Sequence, residues 1–235
     1  MQVTGQLVTP KPEKKPTPAL WLHAPPELRA ERFDTMSQAE LIALLKNPNS
    51  NDFERANSMK RLRVIGTVEA VPAVARFLTD EHMGVYARHV LEPMKDAAAT
   101  EALRNALSSA QGEPLVGVIN SVAKRKDRMA VPALIKMLYA SDQMVADAAA
   151  WALGSISGTD AAKALEDALA KTKGHVRDTV AAGALASAEG LLAEGKRDRA
   201  MALYNRLDEP DIPEAVRLGA MHMTIAAKTS MTRPR

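Results

Sequence analysis

The chain has 235 residues, 46% of them hydrophobic but only 3% aromatic, with 31 basic and 28 acidic side chains and no cysteine. That size suits one large domain or an extended array, and the missing cysteine excludes disulfides, thiolate metal sites and a cysteine nucleophile. The net charge of +3 is spread almost evenly: 5 basic against 4 acidic residues over 1–34, 14 against 11 over 35–140, and 12 against 13 over 141–235. A nucleic-acid binder concentrates its cations on one stripe, and here only the middle third carries a mild excess.

Residues 1–34 hold six of the 14 prolines, at Pro10, Pro12, Pro16, Pro18, Pro25 and Pro26. Proline removes backbone donors and fixes φ, so this stretch reads as a proline-rich N-terminal tail or linker, solvated by Lys11, Lys14 and Lys15. Trp21, Leu22, Leu28 and Phe33 are its anchors if any part docks on the first helices; a docking motif for a partner is the alternative. The first residues lack the apolar core of a secretory signal, and no window approaches the ~18 apolar residues that span a bilayer. The expectation is a cytoplasmic protein with no membrane span, unless the gene starts further upstream.

From Thr35 to the end the pattern is helix–turn–helix, repeated. Leucine-type pairs at helical spacing recur at Leu41/Leu45, Val74/Leu78, Leu103/Leu107, Leu134/Leu138, Leu165/Leu169 and Leu203/Leu207, in steps of 33, 29, 31, 31 and 38 residues. A period near 31 sustained over residues 35–235 predicts an all-α fold: a right-handed α-solenoid of about six helix pairs. First helices are expected over 36–46, 68–79, 97–110, 129–140, 160–171 and 196–207. Second helices are expected over 52–65, 83–95, 114–125, 143–156, 175–190 and 213–228. Thr67, Asp127 and Thr159 stand where an N-cap oxygen is needed, and Pro72 and Pro132 fall in first turns. Gly66, Gly112, Gly158, Gly174 and Gly195 lie between helices.

Val145, Ala148, Ala149, Ala152, Leu153 and Ile156 form an apolar stripe that one helix pair cannot bury alone, so stacked neighbours must complete the core. The long step of 38 places extra residues at Ser187–Asp198, either an edge insertion or a lengthened helix pair. In the last helix Leu218, Met221 and Ile225 point one way and Met223 lies off that stripe. Three readings of this stay open: a fragment of a longer array, an end packed on a second molecule, or a cap made polar by Arg217, His222 and Lys228.

The unit AVPALIKMLYASDQMVADAAAWALGSISG at 130–158 resembles a HEAT repeat of the short bacterial type, the phycobilisome-lyase HEAT-like repeat. AVPA recurs sixty residues earlier, at 70–73, in TVEAVPAVARFL. The resemblance covers roughly residues 40–228 and weakens at 100–125, where Gly117 replaces a helix former, and at 196–228. It implies a fold more than a function, because members include scaffolds, assembly factors, bilin lyases and a DNA glycosylase group.

Catalytic signals are sparse. The five histidines show no metal-binding spacing, and no nucleophile elbow or phosphate loop occurs. No cofactor and no metal site are expected. Asp147 and Trp151 lie one helical turn apart, as an acid and an aromatic do in a HEAT-like glycosylase, but packing at a repeat interface or the groove rim is the ordinary role for Trp151. Arg88 and Glu92 are spaced for a local ion pair, and Pro93 should end their helix.

The leading expectation is a non-catalytic scaffold that holds a partner protein on the concave surface formed by the second helices. The residues expected there are Arg55, Met59, Arg88, Glu92, Asn120, Lys124, Asp147 and Trp151, with Ser121 a further hydrogen-bonding candidate. The alternatives are a bilin lyase or isomerase and a nucleic-acid binder of glycosylase type. The anion-binding edge of the latter would be Arg61, Arg63, Arg125, Lys126 and Arg128. These cations equally suit the ordinary task of compensating helix C-termini, with Asp127 capping the next helix.

Overall fold

The computed structural model describes residues 30–229, and every regular element among them is helical. Six helix pairs follow one another. They are α1 (Gln38–Lys46) with α2 (Asp52–Ile65), α3 (Val71–Ala75) with α4 (Gly84–Leu91), and α5 (Ala97–Ala106) with α6 (Gly112–Lys124). They continue as α7 (Val131–Met137) with α8 (Gln143–Ile156), α9 (Thr159–Lys171) with α10 (Gly174–Ala193), and α11 (Arg197–Arg206) with α12 (Glu214–Thr229). The twelve residues that set the period are all buried, none more than 4% exposed. The second helices stack without a break from α2 to α12, and the first helices stack as α1–α3–α5 and α7–α9–α11. The chain is thus an α-solenoid with one continuous apolar core.

Local chemistry explains where the helices begin. Ser37 with Glu40 and Asn51 with Glu54 form reciprocal capping boxes at α1 and α2. Thr67 does not cap with its own side chain. Gln38 of α1 holds Thr67 in place instead, accepting from its amide at 2.5 Å and donating to its hydroxyl at 2.9 Å. Thr159 lies inside α9, and Gly158, at φ 94°, stands at the cap position. α3 and α7 are shorter than their sequence spans. Each is entered through a 3-10 turn just before Pro72 or Pro132, and its end tightens to i→i+3 bonds. Of the glycines between helices, Gly66 is extended, whereas Gly112, Gly158, Gly174 and Gly195 take positive φ.

Small residues set the spacing between units. A Cβ on Gly154 would come within 2.5 Å of the Gly183 carbonyl oxygen, and one on Gly183 within 2.5 Å of the Ala150 carbonyl oxygen. α8 and α10 therefore meet backbone to backbone. The long step of 38 residues is resolved as a lengthened helix: α10 has 20 residues against 14 in α8.

At the N-terminal end, Phe33 is buried and meets Phe53 edge-on at 5.9 Å between ring centroids, while Arg32 pairs with Glu54 at 2.7 Å. Trp21, Leu22 and Leu28 lie outside the described residues. Pro93 acts as expected, since α4 stops at Leu91. Asp127 ties α5 to α7. Its carboxylate accepts Arg104 Nε at 2.6 Å and Nη2 at 3.1 Å, and also caps the Met129 amide at 3.1 Å. Because this carboxylate is buried, Asp127→Ala strands a guanidinium and an amide together. It should lower the unfolding free energy in urea by about 3 kcal/mol. A loss below about 0.5 kcal/mol would mean that the α5–α7 step holds without the pair.

Candidate functional site on the second-helix face

Each inner second helix, α4 to α10, has one side in the core, two flanks against neighbours and one side left to solvent, whereas α2 and α12 have a second-helix neighbour on one flank only. On α8 that free side carries Met144, Asp147 and Trp151, at i, i+3 and i+7. On α10 it carries exposed Ala182 and Ala186, and on α12 Leu218, Met221 and Ile225. Met144 and Trp151 are 58% and 50% exposed, and the three α12 residues are 51–57% exposed. Met223 turns the other way and packs on the core. An apolar strip therefore runs across α8, α10 and α12. Beside it, His175 Nε2 lies 3.0 Å from Asp147 Oδ2.

The N-terminal half of the same face is different. A cleft of about 400 Å³ between α2 and α4 is lined by Met59, Lys60, Arg63, Tyr86 and His89. Lys60 Nζ stands 5.7 Å from the centroid of the Tyr86 ring.

Between these halves lies a polar cluster on α4 and α6. Glu92 accepts the Ser121 hydroxyl at 2.7 Å and Lys124 Nζ at 3.0 Å. The expected Arg88–Glu92 pair does not form. Arg88 is half-buried and lays its guanidinium over Gly117, where an added Cβ would collide with Cζ. The glycine that interrupts the repeat pattern is thus the seat of this arginine. Burial lowers the pKa of Arg88, against the opposing pull of Glu92 and Glu113.

The residues expected on the face divide accordingly. Arg88, Glu92, Asn120 and Lys124 come together across α4 and α6, and Asp147 and Trp151 share the free side of α8. Two do not reach the face. Met59 is 0% exposed and forms only the floor of the cleft, because it sits on the core side of α2. Arg55 turns toward the first helices, donating to the Pro48 carbonyl at 3.2 Å with its guanidinium 5.8 Å from the Phe77 ring centroid. Ser121 is buried beneath Glu92.

The basic edge is mostly occupied. Arg125 donates to the carbonyls of Leu91, Glu92 and Met94 at 2.5–2.9 Å and to the Thr100 hydroxyl. Lys126 reaches the Ser155 carbonyl, and Arg128 pairs with Glu194 at 2.5 Å. Arg61 is half-buried, whereas Arg63 is exposed. Lys60, Tyr86 and His89 are the residues that sequence reasoning missed. The signal was present: Lys60 and Arg63 lie three apart on α2, as do Tyr86 and His89 on α4. Among the described residues, no three His, Cys, Asp or Glu side chains gather as a metal site requires, and no helix is long and apolar enough to cross a membrane.

The stacked pairs define the class: a helical repeat protein of the α-solenoid kind. Residues 100–186 match the family model for HEAT repeats, so this stretch of the chain carries HEAT repeats. Among solved structures it is similar to an X-ray structure of Escherichia coli YibA, at 17% identity and a TM-score of 0.46, over 94% of this chain and 81% of that one. No curated protein sequence matches it.

Lys126 gives a test of how far this edge is structural. It holds φ 54° at the end of α6, where the Asp127 amide bonds the Val122 carbonyl. Lys126→Gly should be more stable than Lys126→Ala by about 1 kcal/mol, because only glycine takes this conformation without strain. Equal denaturation midpoints would show that the turn relaxes when the lysine is removed.

Proposed function

We propose that the chain is a non-catalytic scaffold that holds a segment of a partner protein along the free sides of its second helices. The apolar strip over α8, α10 and α12 carries this reading. Met144, Trp151, Leu218, Met221 and Ile225 are all half or more exposed, and the small residues Ala182 and Ala186 lie between them. Side chains of this kind, gathered on one face, gain most by being covered. A half-exposed tryptophan is a common energetic centre of an interface. Arg88, Glu92, Asn120, Lys124 and Asp147 supply a polar continuation that would fix register.

Nucleic-acid binding along Arg61, Arg63, Arg125, Lys126 and Arg128 is the competing reading. It is weakened because Arg125, Lys126 and Arg128 already bond within the chain. A photo-reactive benzoylphenylalanine in place of Ala182 should form discrete protein adducts in cells. Trp151→Ser with Met221→Ser should remove them while changing stability by less than about 0.5 kcal/mol per site. Adducts that persist would move the partner to another face, and adducts to nucleic acid would give the competing reading its support.

A further inference from the structure

The partner segment has a chemistry that the face itself specifies. Two cationic side chains, Lys60 and Arg63, and the imidazole of His89 line the α2–α4 cleft. No carboxylate among the described residues pairs with any of them. The neighbouring cations are already engaged: Lys124 holds Glu92, and Arg125 is wrapped in main-chain carbonyls. The free side of the C-terminal units carries Asp147, Asp178 and Glu189 around its apolar strip instead.

Resting on the scaffold reading above, we propose that the α2–α4 cleft is a carboxylate-binding site. It takes an aspartate or glutamate of an acidic–apolar peptide segment whose apolar residues lie on the Trp151 strip. Arg63 and Lys60 supply charge-assisted donors to the carboxylate. Tyr86 and the buried Met59 give the cleft an apolar wall and floor, against which the methylenes of a glutamate pack. The complementarity also orients the segment, because an acidic end placed over Asp147, Asp178 and Glu189 would meet like charge. Three steps between neighbouring helices of roughly 8–10 Å each separate α2 from α8, a span that about eight extended residues cover.

The test uses the full chain and two fluorescein-labelled peptides. Both have an apolar Leu-Trp end and a spacer of about eight Gly and Ser residues; one carries a glutamate run and the other a lysine run. Anisotropy over ~50 to 200 mM salt should show the glutamate peptide binding at least about tenfold tighter. Lys60→Glu with Arg63→Glu should abolish or reverse that preference. Both side chains are exposed, and Lys60→Gln with Arg63→Gln serves as the milder variant if the reversal perturbs folding. The glutamate peptide should also shift the Met59 methyl resonance in the native chain and not in either variant.

Equal affinity for the two peptides, an unmoved Met59 methyl, or no binding of the glutamate peptide at the lowest salt overturns the carboxylate site. If both peptides bind equally and Trp151→Ser removes both, the scaffold reading stands and the cleft assignment alone falls. If the glutamate peptide binds through the cleft but position 182 yields no protein adduct in cells, the carboxylate site stands and the scaffold reading falls. A single-stranded oligonucleotide that displaces the glutamate peptide at lower concentration than unlabelled peptide does also overturns the proposal, assigning the cleft to phosphate.

Discussion

No helix pair in this chain can bury its own apolar surface, and the other features of the molecule are consequences of that. The second helices carry apolar residues on the core side, and each inner one, from α4 to α10, completes its packing between two neighbours. The constraint is tightest between α8 and α10, where Gly154 and Gly183 let the backbones touch. A methyl group at either glycine would meet a carbonyl oxygen rather than a movable side chain, so the two helices would have to part. The low aromatic content belongs to the same constraint. Small flank residues keep the spacing close, and the leucines that set the period all lie in the shared core.

Packing leaves a second requirement, because each helix end frees carbonyl oxygens that another helix must satisfy. Arginines do this here. Arg125 gathers the carbonyls that close α4, Arg177 reaches Leu169 O at the end of α9 while pairing with Glu209 and Asp211, and Arg197 reaches Ala227 O. A guanidinium presents five donors in a plane, so one side chain can serve a whole turn. The densest basic cluster in the sequence, from Lys124 to Arg128, is therefore largely internal wiring. Charge density along a chain measures ligand-binding potential only after such internal bonds have been subtracted.

The architecture was legible in the sequence because it depends on period. Leucine-type pairs near every thirty-first residue placed six helix pairs, and the second helices α2 and α8 fall at the expected residues. Caps were less legible, because a residue at a cap position can be held from another unit. Gln38 serves Thr67 from twenty-nine residues away, and nothing local to Thr67 records it. The face was partly legible. Asp147 and Trp151 share a free side because one turn separates them, whereas Met59 and Arg55 required the rotation of α2 about its axis, which no local spacing fixes. Arg88 was read as an ion-pair partner of Glu92, but tertiary packing overrode the i,i+4 rule by offering Gly117 as a seat and Lys124 as the competing cation.

The free sides of the second helices are the positions on which stacking makes no demand. Solubility alone would favour charged residues there from one end of the array to the other. Instead, two cations and a histidine without carboxylate partners line one cleft in the N-terminal half, and large apolar side chains occupy the C-terminal half. Neither arrangement stabilises the stack: the cations repel one another, and the apolar groups remain in water. A division that the fold does not require, and that unpartnered surface gains nothing from, is what a linear ligand with unlike ends would select.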